Sequence, residues 1–232
     1  MISIIIPAYN EEECLGENIS SLLSDARKVT AVEVIVSDGG STDRTVELAE
    51  QAGATVVISP KKGRSAQMNF GASFAKGKIL YFLHADTRAP AGFSKDILHA
   101  FCKGHTSGCF MLQFDHSHWF LRLNCWFTRF DFNYFRFGDQ SLFVSRGLFE
   151  KSGGFREDHI VMEDQEIIKR IRKLSAFTII KKPVLTSARK YLENGIYKTQ
   201  GIFFLIFLMY QIGFSQQTLV RTYRRLIRQD KV

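Results

Sequence analysis

The sequence predicts an α/β fold, a mostly parallel and doubly wound sheet flanked by helices, followed by a helical C-terminal extension. Three observations predict it. Short apolar runs alternate with amphipathic stretches up to about residue 100, the pattern of repeated βαβ units. Three of those runs, SIIIPAYNEE (3–12), VIVSDGGSTDRT (34–45) and ILYFLHADT (79–87), end in acidic or polar groups. Parallel strands would bring these ends to one edge of the sheet, where open α/β sheets bind ligands.

Residues 2–6 read as a fully apolar strand ended by Pro7. Asn10 with Glu13 then reads as a helix cap, since a short polar side chain and an acid three residues on satisfy free N–H groups reciprocally. Leu15, Ile19, Leu22 and Leu23 follow at helical spacing. Residues 32–37 form the second strand, STDRTVELAEQAG a helix ending at Gly53, and 55–59 a third strand. The stretch 63–77 reads as a helix closed by Gly77, and 78–83 as a fourth strand. Beyond residue 100 the pattern blurs. Strands are expected at 109–114 and 141–145, a helix at 162–174 and helices again over 195–228. The economical division is one domain over 1–190 and a helical, membrane-associating extension over 191–232.

The chain has 232 residues, enough to bury a substantial core, and 45% apolar with 23% charged residues argues against disorder. A formal charge of +8 invites an anionic partner without choosing one. The four cysteines show no CxxC spacing and the N-terminus has no basic leader, so the expectation is a cytoplasmic protein with reduced thiols. No apolar run reaches the roughly 18 residues of a membrane span. Several motifs can be set aside. GASFAKGK lacks the spacing and terminal hydroxyl of a phosphate-binding loop, no GxGxxG follows a strand, and no Gly-x-Ser-x-Gly elbow is present. His116 and His118 in DHSH read as solvated loop residues rather than metal ligands.

Asp38 stands at a strand end before two glycines, where a backbone without side chains lets a ligand approach. Asp43 is explained as a helix-capping acid; Asp38 is not. Asp86 has the same geometry after ILYFL, and a buried carboxylate without a partner is costly, so a hard divalent cation is the expected partner. His84, two residues earlier, shares its side of the strand. In MEDQEIIKRIRKL, Asp164 falls in register with Ile168 and Ile171 on the inward stripe, while Glu166 pairs outward with Arg170. Asp139 in FGDQS (137–141) is a further candidate acid beside a turn glycine.

The segments IIIPAYNEE, VIVSDGGSTDRT, GRSAQMNFG, YFLHADT and MEDQEIIKRIRK occur in an order and spacing that resembles family 2 glycosyltransferases with a GT-A fold. The resemblance covers about residues 1–175. It implies a nucleotide-diphosphate-sugar donor, most often a UDP-sugar, a divalent Mn²⁺ or Mg²⁺ ion, and inversion at the anomeric carbon. By the same resemblance Pro7, Ala8, Tyr9 and Glu11 line the nucleoside pocket, Asp38 accepts a hydrogen bond from the base, and Arg64 stands near base and diphosphate. Asp86 matches the metal-facing acid of the family's Asp-x-Asp motif, and His84 replaces its first acid. Asp164 matches the general base, with Glu163 as second candidate and Asp139 as an acceptor or donor-sugar contact. Two rivals are weaker. A nucleotidyltransferase would want a basic, glycine-rich loop where PAYNEEE is acidic, and a basic membrane- or nucleic-acid-binding module needs no acids at strand ends. Nucleic acid is not an expected partner.

The extension adds a hint about the acceptor. GIFFLIFLMYQIGF (201–214) is apolar but too short to span a bilayer, and Arg221, Arg224, Arg225 and Arg228 follow it. Within 119–137, Arg122, Arg129 and Arg136 recur seven residues apart amid aromatics. Both stretches could pack on the sheet. The sharper expectation is a peripheral contact with an anionic membrane and a lipid or other apolar acceptor.

Overall fold

The computed structural model of the chain describes residues 1–132 and 138–228. Its eight strands form one mixed sheet. The parallel half contains β1 (Ile2–Ala8), β2 (Val32–Asp38), β3 (Thr55–Ile58) and β4 (Ile79–Phe82) in the order β3-β2-β1-β4. The sheet continues through β7 (Leu142–Ser145), β6 (Ser107–Phe114), β8 (Thr178–Thr186) and the two-residue β5 (Thr87–Arg88). β7 runs antiparallel to both neighbours, whereas β6 and β8 are parallel.

All seven residues of β1 are buried because helices cover both faces of the sheet. Ile2, Ile4 and Ile6 enter a core shared with α1 (Leu15–Ala26) and α4 (Phe93–Cys102). Ile5, on the opposite face, enters a second core with α3 (Arg64–Phe74), α6 (Arg146–Ser152) and α7 (Glu163–Leu174). Each fully buried isoleucine contributes about 1.5–3 kcal/mol. β1, β2 and β4 run parallel, so their C-terminal ends open onto one edge. The loops there meet α2 (Thr45–Gln51) and the start of α3.

Several expectations need correction. Pro7 does not end the first strand; it pairs with Ser37 inside β1. The ladder with β4 ends at Ile5–Phe82, so Pro7 lies where the strand is paired on one side only and its missing N–H is tolerated. Asn10 does not cap α1, whose N-cap residue is Cys14 and has no side-chain cap. Its carboxamide instead accepts from the Thr42 N–H at 2.9 Å, tying the loop after β1 to the loop after β2. Gly77 does not close α3, which ends at Phe74. A Cβ at Gly77 would stand 2.6 Å from Ser3 Oγ and 2.7 Å from Ser3 N, so this glycine lets the chain pass against β1.

α4, α6 and β8 were not legible as elements. β8 carries Lys181, Lys182 and Pro183 in its middle, and its register with β6 shifts between Phe110 and Met111. α5 (Trp119–Phe127) covers the first half of the aromatic stretch; Arg136 lies outside the described residues. The extension comprises α8 (Arg189–Asn194), α9 (Ile196–Ile212) and α10 (Gln216–Leu226). Tyr191 of α8 belongs to the first core, while Ile202, Ile206, Leu219 and Tyr223 form a third core with Val161. No helix among the described residues is long and apolar enough to cross a membrane.

Candidate active site

The loops after β1 and β2 are stitched together at the sheet edge. Pro7 and Ala8 are buried at the end of β1. Tyr9, just beyond, lies under the Lys62 ammonium, 5.6 Å from the ring centroid. The Glu11 N–H donates to Thr45 Oγ1 at 2.7 Å, and the Glu12 N–H donates to Asp43 Oδ2 at 3.2 Å. Asp38 is buried, and its carboxylate accepts from the Gly40 and Ser41 N–H groups, both at 2.8 Å, and from the Ser41 hydroxyl. Asp38 thus shapes the glycine turn with its own oxygens. The turn-acid explanation covers more of its environment than the sequence suggested.

Arg64, His84, Asp139, Glu163 and Asp164 converge into one charged cluster. Arg64, the first residue of α3, forms an ion pair with Glu163, the first residue of α7, at 3.0 Å. Glu163 is only 1% exposed, so it is the more deeply buried acid of α7 and Asp164 is half-buried. His84 Nδ1 lies 3.3 Å from Asp139 Oδ1. Burial and the Arg64 charge work against a charged His84, but the hydrogen bond to Asp139 together with the Asp164 and Asp139 charges holds the imidazole pKa above its ordinary value. Burial likewise opposes the Asp139 charge, and the His84 partner together with Lys190 and Arg64 still holds it down to about 2.

Asp164 is the outlier. Burial and the neighbouring Glu163 charge raise its pKa, and the His84 and Arg64 charges only partly offset them. A carboxyl whose proton affinity is raised towards neutrality is suited to accept a proton. Glu163 Oε1 is paired with Arg64. Glu166 pairs with Arg170 at 2.7 Å as the spacing predicts, but the pair does not face outward: Glu166 is mostly buried and Arg170 also donates to the Ser152 and Gly154 carbonyls.

A divalent ion can be tested against the donor set. Asp86, half-buried just after β4, offers a hard carboxylate oxygen. His84 Nδ1 is engaged with Asp139 Oδ1. No group of three or more His, Cys, Asp or Glu among the described residues is placed to hold a metal. One carboxylate completed by substrate phosphate oxygens is a set that Mg²⁺ and Mn²⁺ accept, so Asp86 fits such an ion.

Three positioning residues escaped the sequence reading. Gln67 Nε2 donates to Ala8 O at 2.7 Å and Ser37 O at 2.9 Å, joining the ends of β1 and β2. Asn69 donates to Phe155 O and accepts from the Phe155 N–H, both at 2.8 Å, fixing the turn that leads toward α7. Lys190 of α8 adds positive charge near Asp139. Gln67 and Asn69 sit inside GRSAQMNFG, but nothing in that string says which carbonyls they reach. Beside the cluster, an open groove of about 740 Å³ runs between β6, β8 and α5, with Phe114, Cys125 and Arg129 in its walls. Burial, with the Asp139 charge adding to it, pushes the Cys125 thiol up to about 11.

Residues 3–156 match the sequence profile of glycosyl transferase family 2. The 4,4'-diaponeurosporenoate glycosyltransferase of Staphylococcus haemolyticus is 39% identical over 92 residues, 37% of this chain and 24% of that protein. The undecaprenyl-phosphate 4-deoxy-4-formamido-L-arabinose transferase of Pectobacterium atrosepticum is 33% identical over 97 residues, 38% of this chain and 30% of that protein. The chain therefore matches less than a third of the length of these relatives. Among solved structures, S. aureus TarS 1-349 in complex with UDP superposes with a TM-score of 0.68 at 19% identity, over 80% of this chain and 60% of that one. Mannosyltransferase PcManGT from Pyrobaculum calidifontis, in complex with GDP-Man and Mn²⁺, superposes with a TM-score of 0.64 at 19% identity, over 80% and 56%. The shared architecture is the GT-A fold.

Proposed function

Because the chain belongs to glycosyl transferase family 2, we propose that it moves a sugar from a nucleotide-diphosphate donor to an acceptor hydroxyl with inversion. The observation that carries this reading is Asp164, an acid of raised proton affinity beside Arg64 and His84 at the edge where β1, β2 and β4 end. The donor lies over the loops after β1 and β2, with Pro7, Ala8, Tyr9, Glu11 and Asp38 around the nucleoside. UDP is the favoured nucleotide; the UDP complex of TarS and the GDP-Man complex of PcManGT support a nucleoside diphosphate without choosing between the two.

Asp86 would hold a divalent ion of the kind present in the PcManGT complex, Mn²⁺ or Mg²⁺. That ion would offset charge on the departing diphosphate. Arg64 adds a fixed positive charge at the same place. Asp164 takes the proton of the acceptor hydroxyl as its oxygen attacks the anomeric carbon opposite the leaving group. His84 and Asp139 hold each other at the rim of that reaction, and Asp139 contacts the donor sugar or acceptor. The acceptor enters along the groove between β6, β8 and α5 and is lipid-like or otherwise apolar, a reading supported by the diaponeurosporenoate and undecaprenyl-phosphate in the two relatives' names.

The same proposal divides the chain into a transfer domain (1–190) and a helical appendage (191–232), and places the reaction in the cytoplasm. The test is nucleotide release from a panel of UDP- and GDP-sugars with Mn²⁺. Asp164→Asn is expected to lower turnover by roughly 10²-fold or more while nucleotide affinity holds. A wild-type protein that binds and turns over none of the donors would overturn the reading, and greater damage from Glu163→Gln would move the base to Glu163.

A further inference from the structure

α9 is apolar all round, yet only one side of it is covered. Thr199, Ile202 and Ile206 face the protein, while Phe204, Leu208 and Ile212 lie on the opposite stripe, Phe204 59% and Ile212 76% exposed. α5 does the same. Leu121 is its one buried residue, and Trp119, Leu123 and Trp126 follow one another at helical spacing on the outside, Trp119 61% exposed. The stripes meet at Tyr197, whose ring lies 5.0 Å from that of Phe120 and 6.5 Å from that of Trp119. Single exposed apolar residues need no explanation, but a contiguous surface of this size does.

Charge narrows the partner. α5, α9 and α10 contain no Asp or Glu, while they carry Arg122, Lys198, Arg221, Arg224 and Arg225. Arg129, two residues beyond α5, stacks on Trp126 at 4.9 Å. A second copy of this chain seated on the same face would bring two positive surfaces together. A membrane-spanning role is closed to α9, whose 17 residues extend about 25 Å against a hydrocarbon core of about 30 Å. A helix that is apolar on its outer side and flanked by cations is suited to lie in the plane of an anionic lipid surface.

We propose that the joined outer faces of α5 and α9, with the arginines of α10, form a docking surface for an anionic lipid bilayer. Insertion of Trp119, Trp126, Phe204, Leu208 and Ile212 gives the apolar contact, and the arginines give the attraction to lipid phosphates. None of these side chains belongs to the charged cluster, but Trp126 also lines the groove between β6, β8 and α5 proposed for the acceptor.

Co-sedimentation of the full chain with phosphatidylcholine vesicles, with and without phosphatidylglycerol, tests it. Binding is expected only to the vesicles containing phosphatidylglycerol, and to weaken as salt rises. Replacing Arg221, Arg224 and Arg225 by Gln should weaken it about a hundredfold. The triple change Phe204→Ser, Leu208→Ser and Ile212→Ser should abolish it with the circular-dichroism spectrum and Tm retained. Because that stripe points outward, Trp119→Ser with Trp126→Ser serves as a second, independent apolar variant. A folded wild-type protein that stays in the supernatant at low salt would overturn the proposal. So would binding that both apolar variants leave intact, or a wild-type dimer that becomes monomeric in those variants without any vesicle binding.

Discussion

At the residue scale, the site is a set of charges that shift one another. Asp164 has a raised pKa, so its ionised form, the one able to accept a proton, forms only as pH rises through that value. The acid limb of turnover should therefore lie above the ordinary carboxylate range of about 4. Glu163 contributes to that shift by its negative charge. Glu163→Gln is expected to move the limb to lower pH, measured as kcat against pH; an unmoved limb would mean that another group titrates. The His84–Asp139 pair has its own pH window. Asp139 is depressed, so its stabilising contribution is present above about pH 4 and lost as pH falls through about 2. His84 is raised, so its contribution is full below about pH 6.5 and lost as pH rises past its folded value. Asp139→Asn should lower the His84 pKa, read directly by NMR titration of the imidazole. Asp86→Asn should remove the Mn²⁺ dependence of nucleotide affinity in calorimetry, because it deletes the hard anionic ligand without changing volume.

At the element scale, the sheet edge is held open by backbone contacts from α3. Gln67 satisfies the Ala8 and Ser37 carbonyls where the β1 and β2 ladder runs out. Gln67→Ala removes this donor from both, leaving Ala8 O with the Gly39 N–H, and should cost about 1–3 kcal/mol in urea denaturation, against nearly nothing for the exposed Gln51→Ala. Gly71 in the same helix has no room for a side chain, since a Cβ would stand 2.8 Å from Ile5 Cγ2 and 3.3 Å from Ser37 Cβ. Gly71→Ala should push α3 off the sheet and destabilise by about 1–3 kcal/mol. The helix therefore reads as a spacer that sets where Arg64 meets Glu163.

At the scale of the whole molecule, the C-terminal helices are joined to the site rather than hung beside it. The Gln216 side chain, at the start of α10, accepts from the Ile160 and Val161 N–H groups and donates to Val161 O, all at 3.2 Å. Only Met162 separates those residues from Glu163 and Asp164. Gln216→Ala is expected to cost about 1 kcal/mol, or roughly 2–4 °C in Tm, and to speed hydrogen exchange of the 160 and 161 amides. Unchanged exchange would mean that the third core alone holds this loop.

The alternation of apolar runs and amphipathic helices determined the parallel half of the sheet, because burial on both faces writes itself directly into composition and period. The buried stripe of Ile168 and Ile171 on α7 was legible for the same reason, but the fully buried acid at its start is Glu163 rather than Asp164. Tertiary structure alone decided the rest. β8 was hidden by its two lysines, its proline and its irregular register, which mask the two-residue period of a strand. The pairing of His84 with Asp139, 55 positions apart, and of Arg64 with Glu163, 99 positions apart, depends on which loops the sheet order brings together. Local sequence records what each side chain prefers around it. Only the folded chain sets which distant charge supplies it.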